Sequence, residues 1–173
     1  TRMQRSTFAQ ETKKFFLMAA SFALAIVLLG GVKAAASETT VTNDQGTFTI
    51  GYGSKNSSSS YSGPTVIGYK GTESDVTLPT KVTINDVEQD ITILGTAFQN
   101  NKGITSVTIP EGYATIEDSA MSGCSSLTTV NIPGSMSTIW GYVFQDCTKL
   151  TTLNFTENAS GSLSFKTKVF DGC

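Results

Sequence analysis

The sequence contains one heptapeptide three times, as Ile104-Thr-Ser-Val-Thr-Ile-Pro110, Leu127-Thr-Thr-Val-Asn-Ile-Pro133 and Leu150-Thr-Thr-Leu-Asn-Phe-Thr156, and each copy starts 23 residues after the previous one. In every copy the fourth and sixth residues are apolar while the third and fifth are polar, which is the pattern of a strand with one buried face. Repetition at a fixed period of about 20 to 50 residues is typical of a solenoid, whose repeats bury their apolar faces against one another. The sequence therefore predicts parallel strands stacked about 4.8 Å apart.

Other apolar residues recur at the same spacing and extend the predicted core. Ile93, Ile116 and Ile139 predict a second inward contact after the turn, and residues 119–124 and 142–147 are suited to a single helical or 3₁₀ turn. The predicted fold is a β-rich solenoid of parallel stacked strands with short helical or 3₁₀ turns and a period of 23. Its predicted core is Ile93, Phe98, Ile104, Val107, Ile109, Ile116, Met121, Cys124, Leu127, Val130, Ile132, Ile139, Phe144, Cys147, Leu150, Leu153 and Phe155.

The N-terminal segment has the pattern of an export signal. Lys13 and Lys14 give it a basic start, an uncharged and mostly apolar run follows, and Ala34-Ala35-Ala36 supplies small residues for cleavage. A retained membrane anchor is the alternative, because the apolar run is long enough to cross a bilayer. The predicted segments are a signal peptide at 1–36, a Ser/Gly/Thr-rich linker or N-terminal edge strand at 37–63, lead-in strands and a hairpin at 64–92, and repeats at 93–173.

The composition argues against nucleic-acid binding and against catalysis. From Ser37 onward the chain has seven lysines and thirteen acidic residues, so residues 37–173 carry a formal charge of −6 and lack the basic surface that nucleic acid requires. The chain contains no histidine, which removes the usual activators of Ser and Cys nucleophiles and the commonest zinc ligand. We therefore expect no enzymatic activity, no cofactor and no metal site.

The repeat pattern I-x3-A-F-x2-C-x2-L-x2-I-x-I-P, carried by residues 93–110 and twice more, resembles the leucine-rich repeats of BspA-like bacterial surface proteins, also called the Treponema pallidum type. The chain departs from the pattern where Asn101 replaces the first Cys, Met121 replaces Phe and Thr156 replaces the third Pro. The resemblance implies a leucine-rich-repeat solenoid that is secreted or held at the cell surface. It also implies adhesion or binding to proteins or glycans of a host or neighbouring cell.

Two groups of outward residues are candidates for the binding surface. The polar strand residues form a flat uncharged ladder, which either hydrogen-bonds a glycan or an extended peptide or is β-favouring polar filler. Trp140 follows an inward isoleucine, so that it either anchors a partner or packs against Tyr142 or Tyr113. The alternatives to a binding protein are a targeting module of a larger secreted enzyme and a structural spacer, and we expect further repeats or domains beyond Cys173. The candidate residues are Ser106, Thr108, Thr129, Asn131, Thr152, Asn154 and Trp140.

The sequence contains three cysteines, which is an odd number for an exported protein. Stacked repeats would bring Cys124 and Cys147 within the separation that a disulfide allows. Their side chains would point the same way, however, and Asn101 occupies the same position in the first repeat. Free buried thiols and a single bridge both remain open at this stage.

Overall fold

The computed structural model describes residues 37–52, 54–55, 59–60, 63–157 and 162–173, so the predicted signal peptide lies outside it. Among the described residues, no helix is long and apolar enough to cross a membrane. The strands are β1 (Ser37–Asn43), β2 (Gly46–Tyr52), β3 (Ser54–Lys55), β4 (Ser59–Ser60), β5 (Thr65–Lys70), β6 (Asp75–Thr77), β7 (Lys81–Ile84), β8 (Val87–Asp90), β9 (Ile93–Leu94), β10 (Ser106–Thr108), β11 (Thr115–Ile116), β12 (Thr129–Ile132), β13 (Thr138–Ile139), β14 (Thr152–Phe155) and β15 (Ser164–Phe165).

Two sheets form the sides of a β-solenoid with a period of about 23 residues. One has the strand order β14-β12-β10-β6, and the other has the order β1-β2-β5-β9-β11-β13-β15. All strand pairs of the first sheet are parallel, with Val107 beside Val130 and Val130 beside Leu153, as the spacing of the heptapeptide predicts. Inward residues of both sheets belong to one hydrophobic cluster. The outward faces of the two sheets therefore point away from each other.

In the seven-stranded sheet, the pairing of β9 with β11 differs by one residue from the alignment that the repeat pattern predicts. Thr115 pairs with Ile93, whereas Ile116 pairs with both Leu94 and Ile139. Leu94 therefore occupies the inward position that the sequence pattern had given to Ile93. Both residues are buried, so hydrophobicity alone does not distinguish the two registers, although a shift of one residue exchanges the faces of a strand.

The predicted helical or 3₁₀ turns are hydrogen-bonded turns, and the described residues contain no helix. The N–H of Cys124 donates to the carbonyl of Met121 (3.2 Å), three residues earlier, which is the hydrogen bond of a 3₁₀ turn. Ser119 and Gly123, however, have φ angles of +60° and +73°. Left-handed residues at both ends of the turn prevent a right-handed helix from continuing.

The residues predicted to form the core are buried, except in the last repeat. Fourteen of the predicted core residues are buried, Leu150 and Leu153 are partly buried, and Phe155 is 51% exposed. Phe155 was expected in the core, but β14 is the last strand of its sheet in the described structure, so no further strand covers this side chain. Tyr113 and Val143 are fully buried, although the repeat pattern had not marked them as core.

An antiparallel hairpin of β1 and β2 covers the N-terminal end of the solenoid. The sequence predicted a linker or one edge strand here, yet β2 lies between β1 and β5, so the edge strand is β1. In the hairpin turn, the Oε1 atom of Gln45 accepts a hydrogen bond from the N–H of Thr77 (3.3 Å), while its carbonyl accepts one from the hydroxyl of Tyr69 (2.7 Å). The hairpin turn thus contacts β6, the edge strand of the four-stranded sheet, through the side chain of Gln45.

Strands β7 and β8 form the hairpin that lengthens the first repeat. The sequence predicted a hairpin within this segment, and Asn85 and Asp86 at its turn have φ angles of +51° and +62°, the signs that a type I′ turn requires. The ammonium group of Lys81 lies 2.6 Å from Asp90 and 3.6 Å from Glu88. These acids therefore pair with a lysine, and the described part of the chain holds no group of acidic or cysteine residues that could bind a metal ion.

The carboxylate of Glu111 links three successive loops. It accepts hydrogen bonds from the N–H groups of Gly134 (2.8 Å) and Ser135 (3.0 Å) and from the hydroxyl of Thr156 (3.0 Å). The backbone hydrogen bond from Gly134, followed by the one from Thr156, lowers the pKa of Glu111 from its ordinary value of 4.5. Ionised Glu111 therefore stabilises the contact between repeats.

We expect the variant Glu111→Gln to be less stable than the parent protein at pH 7, because an amide nitrogen cannot accept a hydrogen bond. The folded-state pKa is lowered, so this stabilisation is present above the unfolded-state pKa and is lost as the pH falls through the folded-state pKa. The urea midpoints of the two proteins should differ at pH 7 and approach each other as the pH falls below 4.5, the ordinary pKa of the carboxyl group, and through the lower folded-state pKa. A difference that is unchanged between pH 7 and pH 3 would show that the charge of Glu111 is not involved.

Candidate functional site

Two outward rows of side chains cross the four-stranded sheet. In both rows each member pairs in register with its neighbour on the next strand, so the side chains stand in straight lines at the strand spacing of about 4.8 Å. The first row is Asp75, Ser106, Thr129 and Thr152, and the second is Thr77, Thr108, Asn131 and Asn154. We call these two rows the polar ladder.

Hydrogen bonds connect the side chains of the second row. The Nδ2 atom of Asn131 donates to the hydroxyl of Thr108 (2.9 Å), and the Nδ2 atom of Asn154 donates to Oδ1 of Asn131 (2.8 Å). Each bond fixes the rotamer of the asparagine that donates it. The row is therefore ordered before any ligand binds, which lowers the entropic cost of binding.

The polar ladder is accessible and nearly uncharged. Ser106, Thr108, Thr129 and Asn131 are half-buried, because neighbouring strands flank them, whereas Thr152 and Asn154 are exposed. Asp75 is the only charged residue in either row. The surface offers hydroxyl and amide groups that both donate and accept hydrogen bonds, and it lacks the charge that would select a strongly charged polymer.

Sequence reasoning did not include Asp75 and Thr77 in this surface. The hairpin of β7 and β8 separates β6 from β10, so Pro79 lies 31 residues before Pro110 and the period of 23 is broken. A strand was predicted in this lead-in segment, and the order of side chains before each proline is the signal that could have aligned it with β10. Val76 and Leu78 precede Pro79 as Val107 and Ile109 precede Pro110.

Trp140 does not belong to the polar ladder. It follows β13 of the seven-stranded sheet, so the structure separates it from the six polar residues with which the sequence had grouped it. Its side chain is 44% exposed, and the ammonium group of Lys166 lies 5.8 Å from the centroid of the indole ring. Tyr113, one of the packing partners considered for Trp140, is instead fully buried and donates a hydrogen bond to the carbonyl of Pro79 (2.6 Å).

The three cysteines are free thiols that occupy equivalent positions in successive repeats. The Sγ atoms of Cys124, Cys147 and Cys173 donate to main-chain carbonyls that lie 26, 26 and 29 residues earlier, at 3.0, 3.1 and 2.9 Å. Contact with the thiol of Cys124, followed by burial, raises the pKa of Cys147, and burial raises that of Cys173. Thiols with a raised pKa are poor nucleophiles at neutral pH, so these two thiols are suited to a structural role.

Comparisons with known proteins identify the repeat region. Residues 75–173 match the family model described as a BspA type leucine rich repeat region with six copies. No curated protein matches the chain.

Solved structures of bacterial repeat proteins have a similar fold. A leucine rich cell surface protein from Faecalibacterium prausnitzii is 27% identical, with a TM-score of 0.54 over 70% of this chain and 32% of that one. The leucine rich repeat protein of T. pallidum is 22% identical (TM-score 0.51; 60% and 45% covered), and one from Bacteroides ovatus is 23% identical (TM-score 0.52; 83% and 33% covered). The chain spans between a third and just under half of the length of these proteins.

Proposed function

The chain belongs to the family of BspA-type leucine-rich repeat proteins, and from this premise we propose that it is an exported, non-catalytic binding module. It presents the polar ladder to proteins or glycans of a host or neighbouring cell. The similar protein from Faecalibacterium prausnitzii is a cell surface protein, which supports a location at the surface or outside the cell. The predicted signal peptide supports export, although it lies outside the described residues.

The observation that carries this proposal is the order of the polar ladder. Side-chain hydrogen bonds join Thr108, Asn131 and Asn154 across three strands, so donors and acceptors are held in a line on a flat sheet. An extended polymer with regularly spaced polar groups fits such a line, because one chain can satisfy several positions at once.

Adding positive charge and bulk to the polar ladder tests this proposal. In the double variant Thr129→Lys/Thr152→Lys, two lysines stand beside each other on β12 and β14. The matched control is Thr40→Lys/Thr49→Lys, in which the same change is made at paired residues of β1 and β2 in the other sheet, three or more strands away from β13 and Trp140. Binding of the four purified proteins, namely parent, ladder variant, control variant and Trp140→Ala, is measured on immobilised extracellular-matrix proteins and on a glycan array.

We expect the ladder variant to bind at least about tenfold more weakly than the parent, a loss of about 1.4 kcal/mol. The control variant should bind within about twofold of the parent, because its lysines lie on the opposite sheet. Equal losses of binding in the ladder variant and the control variant would show that the polar ladder is not the specific binding surface. Failure of the parent to bind on either support would contradict a binding function and favour a spacer.

A further inference from the structure

Strand β1 has one edge that no other strand pairs with in the described part of the chain. It stands at the end of the seven-stranded sheet, where it pairs with β2. Strand β7 contacts β1 without pairing with it, and its Val82 and Ile84 belong to the core on which Val41 packs. β1 has seven residues, and no other described edge strand has more than four. Such an edge offers an incoming strand a row of main-chain donors and acceptors.

Every second residue of β1 directs its main-chain groups toward this edge. Asn43 and Gly46 are the first and last residues of the hairpin turn, and the first and last residues of such a turn share a hydrogen bond. Because bonded and non-bonded pairs alternate along a hairpin, Thr42 and Thr47 form a non-bonded pair, and their hydroxyl oxygens lie 3.0 Å apart. The residues whose N–H and C=O groups point away from β2 are therefore Glu38, Thr40 and Thr42.

Strand β1 lacks the features that usually keep a strand edge from pairing. Protected edges carry lysine or proline, contain a β-bulge, or have only a few residues. β1 contains no lysine and no proline, its register with β2 runs without a bulge, and Glu38 is its only charged residue. Three threonines and a valine give it a β-branched composition that favours extended backbone. The edge is therefore suited to accept a further strand.

The edge is complementary to itself when two copies meet in antiparallel orientation. A two-fold axis at Thr40 pairs this residue with Thr40 of the second copy, and it pairs Glu38 with Thr42 on both sides of the axis. Each of these pairs can exchange both of its main-chain hydrogen bonds, because the N–H and C=O groups of all its residues face the edge. Glu38 meets no like charge, and threonine pairs across strands are favourable.

A second β1 fits this edge better than the other described edges of the chain do. The edge strands β14 and β15 have four and two residues, so pairing with either would leave part of β1 without partners. Pairing of β1 with β1 is isologous, so it closes after two copies and leaves no edge of β1 exposed.

We propose that two copies of the chain pair through β1 and form a two-fold symmetric dimer. Cross-strand neighbours lie on the same face of a sheet, so the two seven-stranded sheets join edge to edge with their outward faces on one side. The polar ladder of each copy lies on the opposite side of its solenoid, so both ladders face the same way. The dimer therefore presents two polar ladders to one surface, which increases affinity by avidity. Only this avidity rests on the proposed function, and the dimer itself does not.

Sedimentation equilibrium of the chain from Ser37 onward tests whether the dimer forms. Two seven-residue strands bury less surface than a standard protein interface, so the dimer should be weak. We expect the dimer fraction to rise between about 0.01 mM and about 1 mM protein. A parent protein that stays monomeric up to about 1 mM would overturn the proposal and would leave the edge to extended segments of other proteins.

Opposite charges introduced at Thr42 test the register of the pairing. Thr42 is exposed and would lie across from Glu38 of the second copy, so Thr42→Lys creates pairs of opposite charge and Thr42→Glu creates pairs of like charge. At low salt we expect the dimer affinity to rise about threefold or more in Thr42→Lys and to fall by about the same factor in Thr42→Glu. Both variants lose the same contact with Thr47, so they are matched.

Two further variants separate the register from a general effect of net charge. Glu38→Lys/Thr42→Glu exchanges the two charges and should dimerise at least as tightly as the parent. Thr129→Lys/Thr152→Lys adds positive charge on the other sheet and should dimerise within about twofold of the parent. Equal changes in Thr42→Lys and Thr42→Glu, or the same gain in the distant lysine variant as in Thr42→Lys, would contradict the register.

Hydrogen exchange at the amides of β1 tests the pairing residue by residue. The N–H groups of Thr39 and Val41 bond to β2 in the monomer, whereas those of Glu38, Thr40 and Thr42 face the open edge. Raising the protein concentration from about 0.01 mM to about 1 mM should slow exchange at Thr40 about threefold or more, with smaller changes at Thr39 and Val41. Exchange at Thr40 that does not depend on concentration would overturn the pairing.

The variant Thr40→Lys/Thr49→Lys should be monomeric at concentrations at which the parent dimerises. Its first lysine lies at the two-fold axis, where two copies would bring like charges together. The polar-ladder variants are therefore compared below about 0.01 mM, where the parent is also monomeric and avidity does not contribute. Dimerisation of Thr40→Lys/Thr49→Lys as tight as that of the parent would contradict the proposal. A polar ladder that binds nothing would count against the proposed function and not against the dimer.

Discussion

Replacement of Tyr113 by Ala is expected to lower the free energy of unfolding by about 3–5 kcal/mol, as large aromatic deletions in cores do. The side chain is fully buried, and its hydroxyl donates to the carbonyl of Pro79 at 2.6 Å, so it fastens the lead-in segment to the first full repeat. Tyr113→Phe should cost about 1–3 kcal/mol, because it leaves that buried carbonyl without its donor. Urea denaturation followed by circular dichroism gives both values.

Trp140→Ala is the control for this prediction. It removes a larger ring that is 44% exposed, so it should cost distinctly less than Tyr113→Ala. Because burial raises the pKa of Tyr113, its phenol should also stay protonated at alkaline pH until the protein unfolds. Equal destabilisation by Tyr113→Ala and Trp140→Ala would contradict the packing described for Tyr113.

Two phenylalanines at the same repeat position should differ strongly in their contribution to stability. Phe144 is fully buried and stacks on Phe170 with ring centroids 5.5 Å apart, whereas Phe170 is 44% exposed at the C-terminal end of the described solenoid. Phe144→Ala should cost about 3–5 kcal/mol, and Phe170→Ala should cost less than about half of that. Urea midpoints of the two variants provide the comparison.

The interpretation of Phe170 as an end residue is tested by the same pair of variants. If Phe170→Ala destabilises the protein as much as Phe144→Ala, the end of the described solenoid must be covered by something that buries Phe170. Concentration-dependent stability of the parent protein would then identify a second copy as the cover.

The heptapeptide was sufficient to predict β10, β12 and β14, three strands of the four-stranded sheet, because its alternation and its period are both strict. Val107, Val130 and Leu153 stack in the predicted register. Three features were not predictable from the repeat pattern. Ile93 and Leu94 are both buried apolar residues, so the pattern could not decide which one faces inward. The turns were predicted as single helical or 3₁₀ turns, because propensity does not reveal a positive φ at a residue such as Ser119.

The third feature was the N-terminal hairpin. β1 (Ser37–Asn43) is mostly polar and exposed, so it lacks the alternation of apolar residues that identifies a strand. It is ordered by pairing with β2 across the two-residue turn Asp44-Gln45. The composition of this segment therefore suggested a linker.

For the binding surfaces, the sequence predicted which strand residues point outward but not which residues share a face. Trp140 was grouped with the polar ladder although it follows the second inward strand of its repeat, and the two strands of one coil belong to different sheets. Asp75 and Thr77 were not assigned to the polar ladder, because the β7–β8 hairpin breaks the repeat period between β6 and β10. Binding by the polar ladder and by Trp140 stays a prediction.

The most direct test of the central claim is to map a bound ligand onto the protein by NMR. The amide signals of the purified, isotope-labelled chain are followed during titration with a ligand found on the matrix-protein or glycan supports. For a ladder ligand we predict shifts concentrated in β10, β12 and β14, with the side-chain amides of Asn131 and Asn154 among the most affected. Shifts confined to the β7–β8 hairpin or to the loops between strands would contradict the proposal that the sheet is the binding surface.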